Sequence, residues 1–332
     1  MRAYTLEKGS KRPRLVELPR PQPGPGAVLV RATAVSIHPV DVETAAGGNA
    51  LLLPMARPFV PGVDFVGLVE AVGAGVAGLA IGERVIGYRG IAAQGAFAEL
   101  LTVPADELAV APAGHSDEQL ACLPLPALCA LQALEHANLS SAGRVLVHGG
   151  AGGVGSVAVQ VLARLGHEVV ATASAADAAW VRSLGAARVI DFHAERFEQV
   201  VRDQDLVLDT VGGDTLTRSF AAVRPGGLVA SLRAAPAAVA LEAAGLAVPW
   251  FMSALLPLMA WRAHRAARAA GASLIGQVTV PSGIRLATLA ALSGGRPFAT
   301  RIHQTVPFES LPDALDLVAN GSARGRVVVR LP

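Results

Sequence analysis

Three closely spaced glycines carry the strongest chemical signal in the sequence. They form the pattern Gly150-x-Gly152-x-x-Gly155 inside RVLVHGGAGGVGSVAVQVLARLG, residues 144–166. The segment predicts a buried strand, a tight turn and a helix, which is the context in which such glycines bind the diphosphate of a dinucleotide. The backbone N–H groups of residues 152–156 would then face the phosphates at the positive end of the helix. The predicted cofactor contacts here are Gly150, Gly152, Gly153, Val154, Gly155 and Ser156. A tight turn without a ligand is the alternative.

The end of the next predicted strand bears on which dinucleotide is bound. NAD sites usually place a carboxylate there to accept the ribose 2′-hydroxyl. In EVVATASAAD the strand ends at Thr172 and Ser174 with no carboxylate, and the Ser174 hydroxyl can donate to a 2′-phosphate. The sequence therefore favours NADP over NAD, with Thr172 and Ser174 as cofactor contacts. Asp177 is expected to cap the following helix.

Composition and charge bound the classes of protein that remain. The chain has 332 residues, 52% hydrophobic and 16% charged, with a formal net charge of +2. These values exclude a disordered chain and argue against a nucleic-acid partner. Two cysteines, Cys122 and Cys129, make neither a disulfide framework nor a four-cysteine zinc site. The N-terminus lacks the apolar core of a signal peptide, and no apolar run is long enough for a membrane span, so we expect a cytoplasmic protein.

The pattern of elements predicts an α/β protein with two domains. Residues 1–111 contain short strands at intervals near ten residues, which is typical of a partly barrel-like β unit. From residue 144 to about 232, apolar strands alternate with amphipathic helices, which indicates a parallel doubly wound sheet. The expected strands are RVLVH, EVVATA, ARVIDF, DLVLDTV and GGLVASL. SDEQLACL is expected to begin a helix with Ser116 as its N-cap.

The C-terminal part returns to a strand–helix–strand pattern. VTVPSG is expected to be a strand, IRLATLAAL and LPDALDLVAN helices, and RVVVRL the final strand. The preceding region, residues 245–271, is unusual because an apolar stretch, GLAVPWFMSALLPLMAW, runs into the basic RAHRAARAAG. Three interpretations are open: a helix packed on its own protein, an interface or substrate-pocket lid, and a helix lying at a membrane surface.

Several motifs together resemble one superfamily. They are Ser36-Ile37-His38-Pro39-Val40-Asp41, Pro61-Gly62-Val63-Asp64-Phe65-Val66-Gly67, Leu123-Pro124-Leu125-Pro126-Ala127-Leu128, the glycine loop, Ser183-Leu184-Gly185-Ala186, Asp209-Thr210-Val211-Gly212-Gly213, Pro225-Gly226-Gly227 and Ala323-Arg324-Gly325-Arg326-Val327-Val328. The chain resembles the medium-chain dehydrogenase/reductase superfamily in its zinc-independent quinone oxidoreductase branch. The resemblance covers nearly the whole chain.

This resemblance implies a fold and an activity. A GroES-like catalytic β domain would comprise residues 1–118 and 281–332, and a Rossmann cofactor-binding domain residues 119–280. The active site would lie in the cleft between the domains, and members usually form homodimers through their cofactor domains. The branch reduces quinones and α,β-unsaturated carbonyls with NADPH. Further cofactor contacts implied by the motifs are Cys129, Asp209, Val211, Arg324 and Arg326.

The resemblance also bears on metal. Zinc alcohol dehydrogenases place a Cys ligand near residues 36–41 and a His ligand in a Gly-His-Glu stretch. This chain has His38 and Asp41 in the first place and Gly62-Val63-Asp64 in the second. His38 and Asp64 alone do not make a three-ligand catalytic site, so we expect no metal.

Hydride transfer to an electrophilic acceptor needs little acid–base machinery, because the cofactor carries the chemistry. His38 is the best candidate to hydrogen-bond the developing oxyanion or to donate a proton, with a purely structural histidine as the alternative. Asp41 is expected to orient its neighbours. Trp250, Phe251 and Met252 are expected either to border the pocket or to pack in the core. An enoyl-thioester or biosynthetic reductase, and a cofactor-binding regulatory protein with little turnover, remain the alternative functions.

Overall fold

The computed structural model describes residues 1–7, 10, 12–48 and 59–332, and it divides into two compact units. Unit 1 comprises Met1–Leu125, Gly245–Ala247 and Val280–Pro332, and unit 2 comprises Pro126–Ala244 and Val248–Thr279. Unit 1 therefore continues past residue 118, where the sequence placed the domain boundary. Among the described residues, no helix is long and apolar enough to cross a membrane.

The strands and helices have the following bounds. The strands are β1 (Arg2–Thr5), β2 (Arg14–Glu17), β3 (Ala27–Ile37), β4 (Asp64–Val72), β5 (Arg84–Tyr88), β6 (Leu100–Pro104), β7 (Leu108–Val110), β8 (Arg144–Val147), β9 (Glu168–Ala173), β10 (Arg188–Asp191), β11 (Gln204–Asp209), β12 (Val223–Ser231), β13 (Ser273–Gly276), β14 (Ile302–Pro307) and β15 (Arg326–Arg330). The helices are α1 (Pro39–Ala45), α2 (Gly90–Ala93), α3 (Asp117–Leu120), α4 (Pro124–His136), α5 (Gly155–Arg164), α6 (Ala178–Ser183), α7 (Phe197–Val200), α8 (Gly213–Ser219), α9 (Ala238–Ala243), α10 (Trp250–Ala269), α11 (Gly283–Ser293) and α12 (Leu311–Ala319).

Unit 1 is built around a seven-stranded mixed sheet. Its order is β14-β15-β3-β4-β5-β7, and β6 pairs with β3. The long strand β3, AVLVRATAVSI, is antiparallel to β4, β6 and β15, so its β-branched residues pack at the centre of the core. Strands β15 and β4 flank β3 and are antiparallel to it. The last residues of β3 therefore lie beside the first residues of β4 and β15.

Unit 2 confirms the predicted doubly wound sheet. All five predicted strands form, and with β13 they make a parallel sheet of order β10-β9-β8-β11-β12-β13. The chain moves outward in one direction from β8 to β10 and in the other from β11 to β13. The strand order therefore reverses between β8 and β11, and ligands of such sheets bind at the carboxyl ends of the strands at this point.

Two local expectations about the remaining segments had different outcomes. The α3 N-cap is confirmed, since the Ser116 hydroxyl accepts the N–H of Gln119 and the Gln119 side chain accepts the N–H of Ser116. The strand expected at VTVPSG was wrong, because the edge strand β13 ends at Gly276. In the segment that follows, the side chains of Gln277 and Thr279 hydrogen-bond to Cys129.

Candidate functional site

The glycine loop between β8 and α5 is shaped by close backbone packing. Gly149 has φ +72°, a left-handed conformation that favours glycine. A Cβ on Gly150 would lie 2.8 Å from the Cβ of Ala171 in β9, and a Cβ on Gly155 would lie 2.1 Å from the carbonyl oxygen of Gly149. Both distances are far below van der Waals contact. The predicted strand–turn–helix around the motif is therefore confirmed, and the loop requires glycine at these positions.

The loop uses some of its N–H groups internally and leaves others unpaired. The N–H of Gly152 donates to the carbonyl oxygen of Gly149 at 2.9 Å, and the N–H of Ser156 donates to the carbonyl oxygen of Gly152 at 2.9 Å. The expectation that every N–H from 152 to 156 faces a ligand was therefore wrong for these two. Within the described residues, the N–H groups of residues 153–155 have no acceptor. Three adjacent donors at the first turn of α5 suit an anion such as a diphosphate.

Thr172 of β9 fixes the position of the loop. Its Oγ1 accepts the N–H of Gly149 at 3.2 Å, and its carbonyl oxygen accepts the N–H of Gly150 at 2.8 Å. The same hydroxyl lies 3.3 Å from Nδ1 of His148, whose Nε2 lies 3.0 Å from Oγ of Ser219. Burial lowers the pKa of His148 to about 4, so this histidine is neutral and structural. Thr172 thus stabilises the loop by accepting two of its N–H groups. Its contact with a cofactor stays a prediction.

The structure brings the carboxylate of Asp177 to the end of β9, where the sequence alone indicated no carboxylate. The Ser174 hydroxyl donates to Oδ2 of Asp177 at 2.9 Å. Asp177 occupies the N-cap position of α6, as expected, but its side chain makes no capping hydrogen bond to that helix. The two side chains together present a hydroxyl and a carboxylate at the position that distinguishes NADP from NAD.

The loop after β11 lies at the same edge of the sheet as the glycine loop, because β11 is the neighbour of β8. Asp209 is fully buried, and its carboxylate accepts the N–H groups of Val211 at 3.0 Å and Gly212 at 2.9 Å. It also accepts the hydroxyl of Ser231 at 2.7 Å. Asp209 therefore holds the turn, whereas the Val211 side chain is about half exposed. Of the two predicted cofactor contacts, Val211 is the one that is accessible.

Cys129 is held on α4 by the segment that follows β13. Its Sγ lies 3.1 Å from Oγ1 of Thr279, and its carbonyl oxygen accepts Nε2 of Gln277 at 2.8 Å. The thiol is buried, with 1% of the residue exposed. These contacts join α4 to the segment after β13, and a contact between Cys129 and a nicotinamide stays a prediction.

Unit 1 contains a buried polar cluster where the C-terminal end of β3 lies beside the N-terminal ends of β4 and β15. Ser36 is the residue before the last in β3, His38 precedes α1, Asp41 lies in the first turn of α1, Asp64 begins β4 and Arg326 begins β15. All five residues are buried. His38 is the hub: Nε2 is 2.8 Å from Oγ of Ser36 and 2.8 Å from Oδ2 of Asp64, and Nδ1 is 2.8 Å from Nη1 of Arg326. Its backbone N–H donates to Oδ2 of Asp41 at 2.7 Å.

The arginine determines the tautomer of His38. A guanidinium has only donors, so Nδ1 accepts from Arg326 and the ring proton is on Nε2, from which it is donated to Asp64. Burial, and secondarily Arg326, lowers the pKa of His38 well below its usual value, so the ring is neutral. Both ring nitrogens are occupied. The prediction that His38 donates a proton to substrate is untested, and this geometry does not offer a free ring donor.

The two aspartates of the cluster are biased toward their protonated forms. Burial is the largest cause for both. It raises the pKa of Asp41 to about 8, against the lowering effect of the His38 N–H, and it raises the pKa of Asp64 well above its usual value, against the lowering effect of the Leu125 N–H. Oδ1 of Asp41 and both Nε and Nη2 of Arg326 are buried without a hydrogen-bond partner. The cluster thus retains a proton and unused donors.

The two arginines predicted to contact the cofactor occupy different surroundings. Arg326 is 7% exposed and committed to His38, whereas Arg324 is exposed in the segment before β15. Neither lies in the unit that contains the glycine loop. Their predicted contacts with a cofactor stay predictions.

Comparison with known proteins places this architecture in a family. Residues 24–113 match the family described as alcohol dehydrogenase GroES-like domain, and residues 184–329 match the family described as zinc-binding dehydrogenase. A solved alcohol dehydrogenase superfamily protein from Novosphingobium aromaticivorans is 30% identical, with a TM-score of 0.80 over 100% of both chains. The chain belongs to the alcohol dehydrogenase superfamily, the medium-chain dehydrogenases/reductases.

Other members of the superfamily that resemble this chain are named as reductases. The quinone oxidoreductase of Coxiella burnetii is 27% identical with a TM-score of 0.80, over 100% of this chain and 99% of that one. A chloroplastic NADPH-dependent alkenal/one oxidoreductase from Arabidopsis thaliana is 33% identical over 63% of this chain and 55% of its own length. Matches to three curated relatives of 33 to 36% identity span 55 to 65% of those relatives.

The residues at the superfamily's metal position do not fit zinc. Catalytic zinc in proteins takes three protein ligands and an open position. Here His38 is bonded directly to Asp64, and the cation Arg326 occupies its other nitrogen. Cys122 is not a thiolate, because burial raises its pKa to about 12. Within the described residues no group of three or more His, Cys, Asp or Glu side chains could hold a metal ion. A bound dication would also be repelled by the guanidinium.

Sequence reasoning missed how this cluster is connected. Asp64 was considered only as a metal ligand, and Arg326 only as a cofactor contact. The pairing of β15 with β3 brings Arg326 to His38, and this pairing joins residues 288 positions apart. Two charged residues that begin strands, DFVGLVEAV and RVVVR, were the available signal. The structural role of His148 was also missed, although it directly precedes the glycine loop.

Proposed function

We propose that this protein is an NADPH-dependent oxidoreductase that transfers a hydride to a quinone or an α,β-unsaturated carbonyl. The observation that carries the proposal is the set of unpaired N–H groups at residues 153–155, at the carboxyl edge of the sheet where the strand order reverses. The names of the relatives support the substrate class, since they include a quinone oxidoreductase and an alkenal/one oxidoreductase.

The protein's part in this reaction is binding and orientation. When bound, the nicotinamide supplies the hydride, and the acceptor is already electrophilic. The N–H groups of residues 153–155 bind the diphosphate, and Thr172 and Asp209 hold the two loops that flank it. Val211 then lies beside the cofactor, where its exposed side chain excludes water.

We assign proton transfer to the His38 cluster. With a pKa of about 8, Asp41 holds a proton at neutral pH, and its Oδ1 has no competing partner. Reduction of the acceptor leaves an oxyanion or carbanion that must be protonated, which a group of this pKa does efficiently. His38 positions Asp41 through its backbone N–H, and Arg326 fixes the His38 ring. Asp41 is therefore the proposed acid and His38 its positioning residue.

The preference for NADP is supported by the end of β9. The strand carries no acidic residue after Glu168 at its start, and Ser174 offers a hydroxyl to a 2′-phosphate. Asp177 opposes this preference, because a carboxylate bonded to Ser174 repels a phosphate. The proposal therefore requires the Ser174 hydroxyl to exchange Asp177 for the phosphate on binding.

Three further properties belong to the proposal. Activity is independent of zinc, because Arg326 and Asp64 occupy both ring nitrogens of His38. Metal analysis of the purified protein that finds stoichiometric zinc would refute this. The protein is a homodimer joined through its cofactor domains, and the edge strand β13 offers unpaired backbone groups for this. It works in the cytoplasm.

A substrate panel tests the proposal. NADPH oxidation is followed by the absorbance of the reduced nicotinamide, with quinones, enones and enoyl thioesters as acceptors. We expect turnover with quinones or enones. Turnover restricted to enoyl thioesters would move the protein to a biosynthetic class of reductase. Tight NADPH binding with no turnover across the panel would indicate a regulatory cofactor-binding protein.

A further inference from the structure

Helix α10 presents an apolar surface to solvent. Its buried residues, Leu256, Ala260 and Ala267, share one side of the helix, which packs on β13, α8 and α9. The opposite side of its first three turns is exposed and apolar. We call this exposed side of α10 the α10 outer face. It includes Arg262, Arg265 and Arg268, and its apolar members are Trp250, Phe251, Leu255, Leu258, Met259 and Trp261.

The exposure of these side chains is large. Trp250 is 83% exposed, Leu258 70% and Met259 64%. Val239, on the helix α9 that contacts α10, is also 70% exposed. Isolated exposed apolar residues are common in proteins, but a contiguous group of this kind marks a surface that binds something.

The second half of α10 is basic on the same outer side. Arg262, Arg265 and Arg268 are exposed, and α10 contains no Asp or Glu. In the part of the chain that the structure describes, none of the three forms an ion pair. Arg265 lies over the ring of Trp261 at 5.2 Å, so the apolar and basic halves join at this pair.

The elements packed against α10 bring little compensating negative charge. Strand β13, SLIG, has no charged side chain. On α8, Asp214 is bonded to Arg218. On α9, Glu242 is exposed and is the one carboxylate of that helix. The α10 outer face therefore couples an apolar surface to a net positive one.

We propose that the α10 outer face docks the protein on the surface of an anionic lipid bilayer. Tryptophan and leucine side chains enter the boundary between headgroups and acyl chains, and the three arginines bind lipid phosphates and carboxylates. The helix lies on the bilayer and does not cross it, since its apolar half is about three turns long. A second copy of the chain fits this face less well, because a two-fold interface built on it would bring two sets of unpaired arginines into the same buried surface.

Vesicle sedimentation of the intact protein tests the proposal. The probes are vesicles of phosphatidylcholine alone and of phosphatidylcholine mixed with phosphatidylserine, at low and at high salt. We expect binding to the mixed vesicles, weakened by salt and far weaker to phosphatidylcholine alone. Arg265→Gln should weaken binding about fivefold, the value for one arginine near an anionic surface, whereas Arg182→Gln on the exposed side of α6 should not.

The apolar half is tested separately. Leu258→Ser with Met259→Ser should weaken vesicle binding at least fivefold, and Ile284→Ser, an exposed isoleucine on α11, should have no effect. Unchanged NADPH oxidation shows that each variant is folded, and it separates this proposal from the proposed function. Absence of vesicle binding, equal binding to neutral vesicles, or a change in oligomeric state caused by the α10 variants would each overturn the proposal.

Discussion

The Nδ1 atom of His38 lies 2.8 Å from Nη1 of Arg326, a strand-end arginine from the opposite end of the chain. Burial, and secondarily this contact, lowers the pKa of His38 and keeps its ring neutral. Because the guanidinium only donates, the ring proton lies on Nε2 and is directed to Asp64. Arg326 is therefore a fixed cation beside His38 in the buried cluster. The backbone of His38 in turn holds Asp41.

Replacing His38 should impair catalysis. His38→Ala keeps the backbone N–H that holds Asp41, but it removes the acceptor of Arg326 and the donor to Asp64, so these two buried side chains lose the partner that fixes them beside Asp41. We expect kcat/KM with the best substrate to fall about tenfold or more, the scale of one lost positioning interaction. His303→Ala, an exposed histidine of β14, is the control. Equal kinetics for the two variants would remove His38 from the reaction.

The pH dependence of activity tests Asp41. Because its pKa is about 8, the acid form needed for protonation is lost as the pH rises through 8, and kcat should fall there. Asp41→Asn should lower kcat at all pH values and abolish this decline. A variant that keeps full activity with an unchanged pH profile would exclude Asp41 as the acid.

Asp41 should also affect how the free energy of unfolding depends on pH. Between its ordinary value of 3.8 and about 8, Asp41 is protonated when folded and ionised when unfolded. Unfolding then releases a proton, so the free energy of unfolding falls as pH rises across this window, by at most about 1.4 kcal/mol per pH unit. Asp41→Asn should flatten this slope in urea titrations, whereas exposed Asp106→Asn should not. Parallel slopes for Asp41→Asn and the wild type would show that Asp41 is ionised in the folded protein.

The glycine loop should not accept a side chain at residue 155. In Gly155→Ala the new Cβ would lie 2.1 Å from the Gly149 carbonyl oxygen, so the loop must move. We expect a loss of about 1–3 kcal/mol in stability, typical of overpacking, and at least tenfold weaker NADPH binding. Gly24→Ala, where a Cβ meets nothing within 4 Å, is the control for thermal unfolding and fluorescence titration. Wild-type NADPH affinity in Gly155→Ala would contradict the loop's role.

Cofactor preference should depend on the Ser174–Asp177 pair. Asp177→Ala removes a negative charge from the proposed 2′-phosphate position, so NADPH affinity should rise several-fold while NADH affinity does not. Ser174→Asp should have the reverse effect. Glu168→Ala, at the opposite end of β9, should leave both affinities unchanged in fluorescence titrations. Stronger NADH than NADPH binding by the wild type would reverse the NADP assignment.

Local sequence patterns were sufficient to predict the parallel sheet of unit 2 and its glycine loop. Buried strands of nearly continuous apolar residues and a glycine loop between strand and helix depend on neighbours in sequence, and five strands of the parallel sheet were predicted from them. The strand expected at VTVPSG was wrong, because β propensity is local, whereas Gln277 and Thr279 contact Cys129, which lies about 150 residues earlier in the chain.

The polar cluster of unit 1 could not be predicted in the same way. His38 and Asp41 stand out in the sequence, but their properties depend on Asp64 and Arg326, which only the pairing of β3 with β4 and β15 brings to them. Burial of the whole cluster then raises the pKa of Asp41 and lowers that of His38, which sequence spacing does not encode. Similarly, the internal hydrogen bonds of Gly152 and Ser156 depend on the three-dimensional course of the loop.

Calorimetric titration of the purified protein with NADPH is the most direct test of the central claim, that the unpaired N–H groups of residues 153–155 bind the diphosphate of a dinucleotide. The account predicts a saturable heat with about one cofactor per chain, weaker heat with NADH, and little heat from Gly155→Ala. No heat with either dinucleotide from the folded wild-type protein would contradict it.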